Sequence, residues 1–164
     1  MPTITYEPIA TQTLGAAAGS VTFSSIPSTY TDLVLVAQTS NDGGATNLRL
    51  QFNGDGGTNY SSTRIYGDGT TVNSDNTTTA VSMPVGILGA SATDFGVYQL
   101  HIQNYSNSTT YKTVLARAGY ATEYVTSTVG LWRSTVAVTS VLLNASTANF
   151  RVGSTFTLYG IAAA

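Results

Sequence analysis

His101 is the only imidazole in the chain, so any acid–base chemistry that requires a histidine must use it. It lies between Leu100 and Ile102 in a segment that alternates polar and apolar residues, which places it on the polar face of a predicted strand. A serine hydrolase would need a Ser and an Asp beside it, yet no serine stands in a Gly-x-Ser-x-Gly nucleophile elbow. The pattern favours a surface or internally hydrogen-bonded histidine, and the chain is predicted not to be an enzyme.

The carboxylates are scattered along the chain, and half of them fall in Asn- and Gly-rich stretches: Asp42, Asp55, Asp68 and Asp75. A carboxylate in such a stretch usually accepts hydrogen bonds from nearby backbone amides. The spacing does not fit the twelve-residue calcium loop, and the glycines at 54, 56 and 57 are not followed by the Lys-Ser/Thr pair of a phosphate-binding loop. Cysteine is absent, which excludes thiolate ligands and disulfides. We therefore predict no metal and no cofactor.

Ten tyrosines and one tryptophan are the remaining candidates for recognition. A row of exposed aromatic rings with polar tips suits binding to a sugar or a protein, because such rings are rigid and amphipathic. Tyr60, Tyr66, Tyr105 and Trp132 are the candidate interface or recognition residues. Packing in the core or across strands is the alternative for the same four rings.

Only 9% of the residues are charged, compared with about 25% in a typical soluble domain. The surface must therefore be covered mainly by Thr, Ser, Asn and Gly, which protect weakly against association. A net charge of −2 offers no basic field for nucleic acid. The composition favours a protein that assembles with itself or with a larger particle.

The N-terminal residues show neither the basic nor the apolar region of a signal peptide. No apolar run approaches the roughly 20 residues that a membrane-spanning helix needs. The sequence therefore predicts synthesis in a cytoplasm and no membrane partner.

Short segments with a period of two, separated by Gly and Asn turns, predict an all-β fold. Residues 70–79 are too polar to assign and are predicted as a loop, and Ala80–Leu88 as an irregular or edge segment because of Pro84 and Gly86. We expect an antiparallel two-sheet β-sandwich, jelly-roll-like, with roughly eight to ten strands. The predicted strands are Thr3–Glu7, Ser20–Ile26, Thr31–Thr39, Asn47–Asn53, Tyr60–Tyr66, Gly96–Asn104, Thr110–Tyr120, Tyr124–Trp132, Thr135–Leu143 and Phe150–Ile161.

The sandwich domain is expected to cover residues 20–164. Residues 1–19 contain a small, flexible stretch, Leu14 to Ser20, and form either an N-terminal arm that contacts a neighbouring molecule or an edge segment of the same sandwich. The residue pattern leaves both possibilities open.

Four segments between Phe23 and Ile161 resemble small virion structural proteins of tailed bacteriophages, a loosely defined group of head decorations, appendages and tail-associated β-domains. The segments are Leu48–Asp55 with Asn59–Ser61, His101–Tyr105 with Tyr111–Thr113, Gly130–Thr135, and Gly153–Ile161. They mark strands and turns and no catalytic site.

The resemblance implies a capsid decoration or cement protein on the outer capsid surface of the virion. Its partners would be the major capsid protein and further copies of itself, with a trimer as the expected homo-oligomer. The alternative is a tail-fibre or appendage module that binds a receptor or a carbohydrate.

Overall fold

The computed structural model describes residues 5–162, so the predicted strand from Thr3 begins outside the described residues. Within them the chain is all-β, with twelve antiparallel strands in two sheets and no helix. The predicted two-sheet sandwich is confirmed, with more strands than the expected eight to ten. The strands are β1 (Tyr6–Thr13), β2 (Ser20–Phe23), β3 (Asp32–Thr39), β4 (Thr46–Phe52), β5 (Tyr60–Gly67), β6 (Val72–Ala80), β7 (Met83–Leu88), β8 (Gly96–Gln103), β9 (Lys112–Tyr120), β10 (Tyr124–Trp132), β11 (Val141–Ala145) and β12 (Thr155–Ile161).

The two sheets are unequal in size. The large sheet has eight strands in the order β1-β12-β3-β8-β9-β10-β5-β6, and the small sheet has four in the order β2-β11-β4-β7. The small sheet covers one face of the large sheet, which we call the inner face. The opposite, outer face carries several exposed apolar side chains, among them Val36, Val97, Leu115, Val125 and Ile65.

Strict alternation along the strands builds the core between the sheets. Tyr98, Leu100 and Ile102 of β8 are fully buried, as are Leu50 and Phe52 of β4. Burying each such side chain contributes roughly 1.5–3 kcal/mol. The faces predicted for these two strands are confirmed.

The turn predicted after β4 is also confirmed. Asn53 and Gly54 both have positive φ angles, 54° and 67°, which is the left-handed region that Asn and Gly tolerate best. The Asn53 side chain binds the segment before β11, where its Oδ1 accepts hydrogen bonds from the amides of Thr139 (2.8 Å) and Ser140 (3.0 Å). Backbone held in this way does not join a sheet, so the strand predicted from Thr135 begins only at Val141.

The structure corrects the prediction of a loop at residues 70–79. This segment is part of β6, an edge strand that pairs with β5. Most of its side chains are exposed on both faces of the sheet, so it lacks the apolar alternation that would have identified a strand. A bidentate ion pair between Arg64 and Asp75 holds it to β5.

β1 is an edge strand of the large sheet. β1 pairs with β12 from Tyr6 to Thr13, with a bulge between Pro8 and Ala10. The pairing continues beyond the strand, since the Leu14 amide donates to the Ser154 carbonyl at 2.9 Å. Of the two alternatives for residues 1–19, the edge segment describes residues 6–13.

Residues 5–162 form no helix that is long and apolar enough to cross a membrane.

Two threonine hydroxyls on the inner face of β10, those of Thr126 and Thr128, are buried without a hydrogen-bond partner among the described residues. Valine has nearly the same shape and no hydroxyl to desolvate. Each of the substitutions Thr126→Val and Thr128→Val is therefore expected to raise the free energy of unfolding by about 1 kcal/mol, measured by urea denaturation. Thr39→Val is the matched control, because the buried Thr39 hydroxyl donates to Ser154 Oγ at 2.9 Å and its loss should destabilise. Destabilisation by the β10 substitutions would contradict the assignment of these hydroxyls as unsatisfied.

Candidate functional site

The outer face of the large sheet is ordered in rows that run across the strands. One row contains Val97, Gly119, Val125, Gly67 and Val72, which are successive partners from β8 to β6. The next row contains Gln99, Arg117, Ser127, Ile65 and Ser74. Because paired residues point to the same side of a sheet, each row forms a continuous strip on the outer face.

These two rows concentrate exposed apolar surface at one end of the sheet. Val72 is 80% exposed, Val125 65%, Ile65 58% and Val97 55%. Glycines stand between the valines of the first row and leave a depression of about 580 Å³. A contiguous apolar surface of this kind on a soluble domain is typical of an interaction site.

The apolar side chains on β10 are reversed relative to the usual pattern. Val125 and Val129 face solvent, whereas Thr126 and Thr128 face the core. The sequence signal for this reversal is that Trp132 and the valines fall on opposite faces of the strand, Trp132 at an even position and Val125 and Val129 at odd positions. Burial of Trp132 therefore turns the valines outward. These outer-face residues were not among the candidates predicted from the sequence.

Nearly all of the cations are used inside the molecule. Five of the six form hydrogen bonds to other parts of the chain: Arg49 to Ser146 and Ser82, Arg64 to Asp75 and Asn47, Lys112 to the carbonyls of Thr110 and Thr135, Arg133 to the carbonyls of Thr58, Tyr60 and Thr78, and Arg151 to those of Asn41 and Ala90. Arg117 alone has no hydrogen bond or ion pair to any residue in 5–162. It therefore presents an uncompensated positive charge beside the apolar depression of the outer face.

His101 also lies on the outer face, two residues along β8 from Gln99. Its Nε2 is 2.9 Å from Asp32 Oδ2, and its cross-strand neighbours are Val34 and Leu115. Among residues 5–162, no serine hydroxyl is hydrogen-bonded to the imidazole. Asp32 is also held by the Asn104 amide at 2.6 Å, so this pair ties β3 to the end of β8.

Three of the four predicted recognition rings are inside the protein. Tyr60 and Tyr105 are fully buried and Trp132 is 2% exposed. The Tyr105 hydroxyl donates to the Pro27 carbonyl, and Tyr60 is hydrogen-bonded to the backbone of Phe52. These three rings therefore do not form the expected recognition surface, because they are buried and their polar groups are hydrogen-bonded within the fold. They follow the packing alternative.

Tyr66, the fourth ring, is half-exposed. It lies on the inner face of β5, beyond the part of that face that buries Tyr60 and Ser62. The Arg64 guanidinium carbon lies 4.9 Å from the centre of the Tyr66 ring. Tyr66 is the one candidate ring that the structure leaves accessible.

Asp68 stabilises its own turn, as its sequence context predicted, whereas Asp42 and Asp75 bind partners on other segments of the chain. Asp68 accepts hydrogen bonds from the amides and hydroxyls of Thr70 and Thr71, which lower its pKa. Asp42 binds the backbone and side chain of Asn149, which lowers its pKa as well. No group of three His, Asp or Glu side chains that could hold a metal ion occurs in the described part of the chain.

Asp55 accepts a hydrogen bond from the Trp132 indole at 2.7 Å, and this bond is the largest cause of its lowered pKa. Trp132→Phe keeps a ring but removes the donor, so the pKa of Asp55 is expected to rise toward the ordinary 3.8. A lowered pKa stabilises the fold above the unfolded value, and this contribution disappears as the pH falls through the folded value. The variant should consequently lose less stability on acidification from about pH 4 downward. Carboxyl NMR titration of Asp55, with urea unfolding at each pH, measures both effects, and an unchanged Asp55 titration would contradict the prediction.

Comparisons with known proteins assign no family. No family model matches the sequence, and no curated protein matches it. Among solved structures, alginate lyase Aly36B matches with 8% identity and a TM-score of 0.32, over 90% of this chain and 78% of that enzyme. Two mutants of the same enzyme match similarly. The complex with an alginate tetrasaccharide has 9% identity and a TM-score of 0.28, over 87% of this chain and 79% of that one. The complex with an alginate trisaccharide has 11% identity and a TM-score of 0.30, over 93% of this chain and 80% of that one. These scores are too low to assign a shared fold or activity.

Proposed function

We propose that this chain is a non-enzymatic structural domain of a bacteriophage virion, a decoration or cement protein that attaches to the major capsid shell through its outer face. The observation that carries the proposal is the outer face itself, where exposed apolar residues surround one uncompensated cation, Arg117. The resemblance of the strand and turn segments to phage virion proteins supports the proposal that the particle is a phage capsid.

The outer face is large enough for specific attachment. Eight strands spaced at about 4.8 Å, with roughly six residues of about 3.3 Å each, give an area of about 800 Å². A standard protein interface buries about this area on each partner. One copy therefore has sufficient surface to bind a shell subunit by itself.

Charge complementarity identifies the kind of partner surface. A capsid subunit with an apolar projection beside a carboxylate would fill the depression and neutralise Arg117. The apolar contact supplies the affinity, and the ion pair sets the orientation. Many copies on a lattice reinforce each other when the shell links them, so modest individual contacts would sum to stable attachment.

Contact between copies belongs to the same proposal, with a closed oligomer such as a trimer. Three of the four sheet edges are blunted: β1 by Pro8 and a bulge, β7 by Pro84 and a bulge, and β2 by its length of four residues. β6 contains neither proline nor lysine, and its pairing is regular from Val72 to Thr77. Its free edge is the edge best suited to contact another copy.

The test is to mix the purified protein with phage heads that lack it and to record lattice occupancy by electron microscopy. We expect regular occupancy and a higher temperature of shell disruption. The absence of regular binding to heads would overturn the decoration role. Light scattering at high concentration would then test the oligomer separately, since a stable monomer contradicts the closed oligomer.

A second candidate function is a tail-fibre or appendage module that binds a receptor or a carbohydrate. It is favoured by a polar groove beside Tyr66, on the side of the large sheet opposite to the outer face.

A further inference from the structure

A groove of about 430 Å³ opens where the two sheets separate at one end of the sandwich. One wall comes from β5 and the start of β10, and the other comes from the start of β4 and the loop after β11. Its lining includes Thr46, Asn47, Arg64, Tyr66, Tyr124 and Thr147, and we refer to it as the tyrosine groove. Its volume lies within the range of roughly 300–1,000 Å³ that is usual for ligand pockets.

The two tyrosines are neighbours on one wall of this groove. Tyr66 pairs with Thr126 across β5 and β10, so Tyr124, two residues from Thr126, is its diagonal neighbour on the same face. Diagonal neighbours are separated by about 7–8 Å, which aromatic side chains can span. Both rings are half-exposed. Two adjacent rings therefore line one wall of an accessible groove.

The hydroxyls of these two tyrosines differ from those in the interior. Tyr60, Tyr98 and Tyr105 are buried, and each donates a hydrogen bond to a backbone carbonyl. No residue in 5–162 is hydrogen-bonded to the hydroxyl of Tyr66 or Tyr124. Their polar tips are thus available to a ligand.

The polar lining is held in place and carries no net charge. Arg64 binds Asp75 through Nε (3.1 Å) and Nη2 (2.5 Å) and binds Asn47 Oδ1 through Nη1 (2.7 Å). The pair with Asp75 neutralises the guanidinium, and the bond to Asn47 connects the two walls. Since Asn47 Oδ1 is occupied, its amide nitrogen remains as a donor that the described residues leave unused.

We infer that the tyrosine groove binds a neutral oligosaccharide. A pyranose ring has an apolar C–H face that packs on aromatic rings and a rim of hydroxyls that exchange hydrogen bonds. Two tyrosine rings, two free phenol hydroxyls, the Asn47 amide nitrogen and the threonines at the edge of the groove match both requirements. The neutralised Arg64 gives no preference for an acidic sugar.

This inference names the ligand class of the groove and rests on the second candidate function, and it is compatible with attachment to a shell. Tyr66 and Tyr124 point to the inner side of the large sheet, whereas Ile65 and Val125 point to the outer side. A copy bound through its outer face would keep the tyrosine groove open to solvent. The domain could then be attached to a particle and bind a surface glycan at the same time.

The experiment is titration calorimetry of the purified full chain with neutral tetrasaccharides of glucose, galactose, mannose and N-acetylglucosamine. We expect at least one to bind with a Kd below about 1 mM. Tyr124→Ala and Tyr66→Ala should each weaken that binding about tenfold, because each removes a stacking surface. Tyr124→Phe should weaken it less, since the ring remains.

Tyr111→Ala is the matched control, because Tyr111 is 52% exposed and lies outside the groove. It should leave sugar binding unchanged, and thermal unfolding of every variant verifies that the fold is intact. The inference is overturned if no neutral sugar binds or if the groove variants bind as well as the control. Groove variants should still attach to heads, so failure of sugar binding and failure of the decoration role are distinguishable.

Discussion

Replacing Trp132 with alanine is expected to lower the free energy of unfolding by about 3–5 kcal/mol, the usual cost of removing a large buried aromatic ring. Trp132 is 2% exposed, and its ring lies 5.4 Å from Phe52 and 6.4 Å from Tyr60 between ring centres. Its indole also donates to Asp55 in the turn after β4. The substitution therefore leaves a cavity between the sheets and releases a turn.

Urea denaturation followed by far-ultraviolet circular dichroism measures this effect, because the chain has no other tryptophan to report by fluorescence. Trp132→Phe should cost less, since most of the cavity is filled and only the hydrogen bond to Asp55 is lost. Tyr111→Ala, which truncates an exposed ring, should change stability by less than about 0.5 kcal/mol. Similar losses for Trp132→Ala and Tyr111→Ala would contradict the central packing role of the tryptophan.

The second large effect is expected on attachment and not on stability. Arg117→Glu reverses the only cation that the described chain leaves without an internal partner, and it places a carboxylate opposite the acidic group proposed on the shell. Loss of an oriented ion pair at an interface, together with the new repulsion, should reduce affinity for heads by about 100-fold. The unfolding midpoint should be nearly unchanged because Arg117 forms no ion pair with any residue in 5–162. Quantitative binding to heads at two salt concentrations measures the effect.

Thr22→Glu is the control for the added negative charge. Thr22 is exposed on β2 of the small sheet, on the other side of the molecule. It should bind heads like the unmodified protein. If Arg117→Glu binds normally, or if both variants lose binding equally, the outer face is not the attachment surface. Sugar binding by Arg117→Glu should stay unchanged, because Arg117 and the tyrosine groove lie on opposite sides of the large sheet.

Local patterns predicted the strands where one face was clearly apolar. β4 and β8 alternate cleanly, and their boundaries and buried faces agree with the structure. β6 was missed because it is exposed on both faces and so has no apolar period to detect. The strand assigned from Thr135 began too early because the side chain of Asn53, distant in sequence, holds the backbone at Thr139 and Ser140.

The candidate aromatic residues show the same limit. A strand pattern distinguishes two faces but does not say which one another sheet will cover. On β10 the small sheet covers the face with Thr126, Thr128 and Trp132, so Val125 and Val129 are left to solvent. The tyrosine groove depends equally on distant segments, since β4, β5, β10 and the loop after β11 meet only in the folded chain.

The sequence by itself determined an antiparallel all-β chain with few charges, a single imidazole and the carboxylate-stabilised turn at Asp68, because alternation and turn chemistry act over a few residues. The tertiary structure alone decided the eight-and-four division of strands, the burial of Tyr60, Tyr105 and Trp132, and the isolation of Arg117 on the outer face. These features depend on strand pairings between residues far apart in sequence, such as β1 with β12 and β2 with β11. The free energy of such pairings comes from the surface that both partners bury together, which neither segment specifies alone.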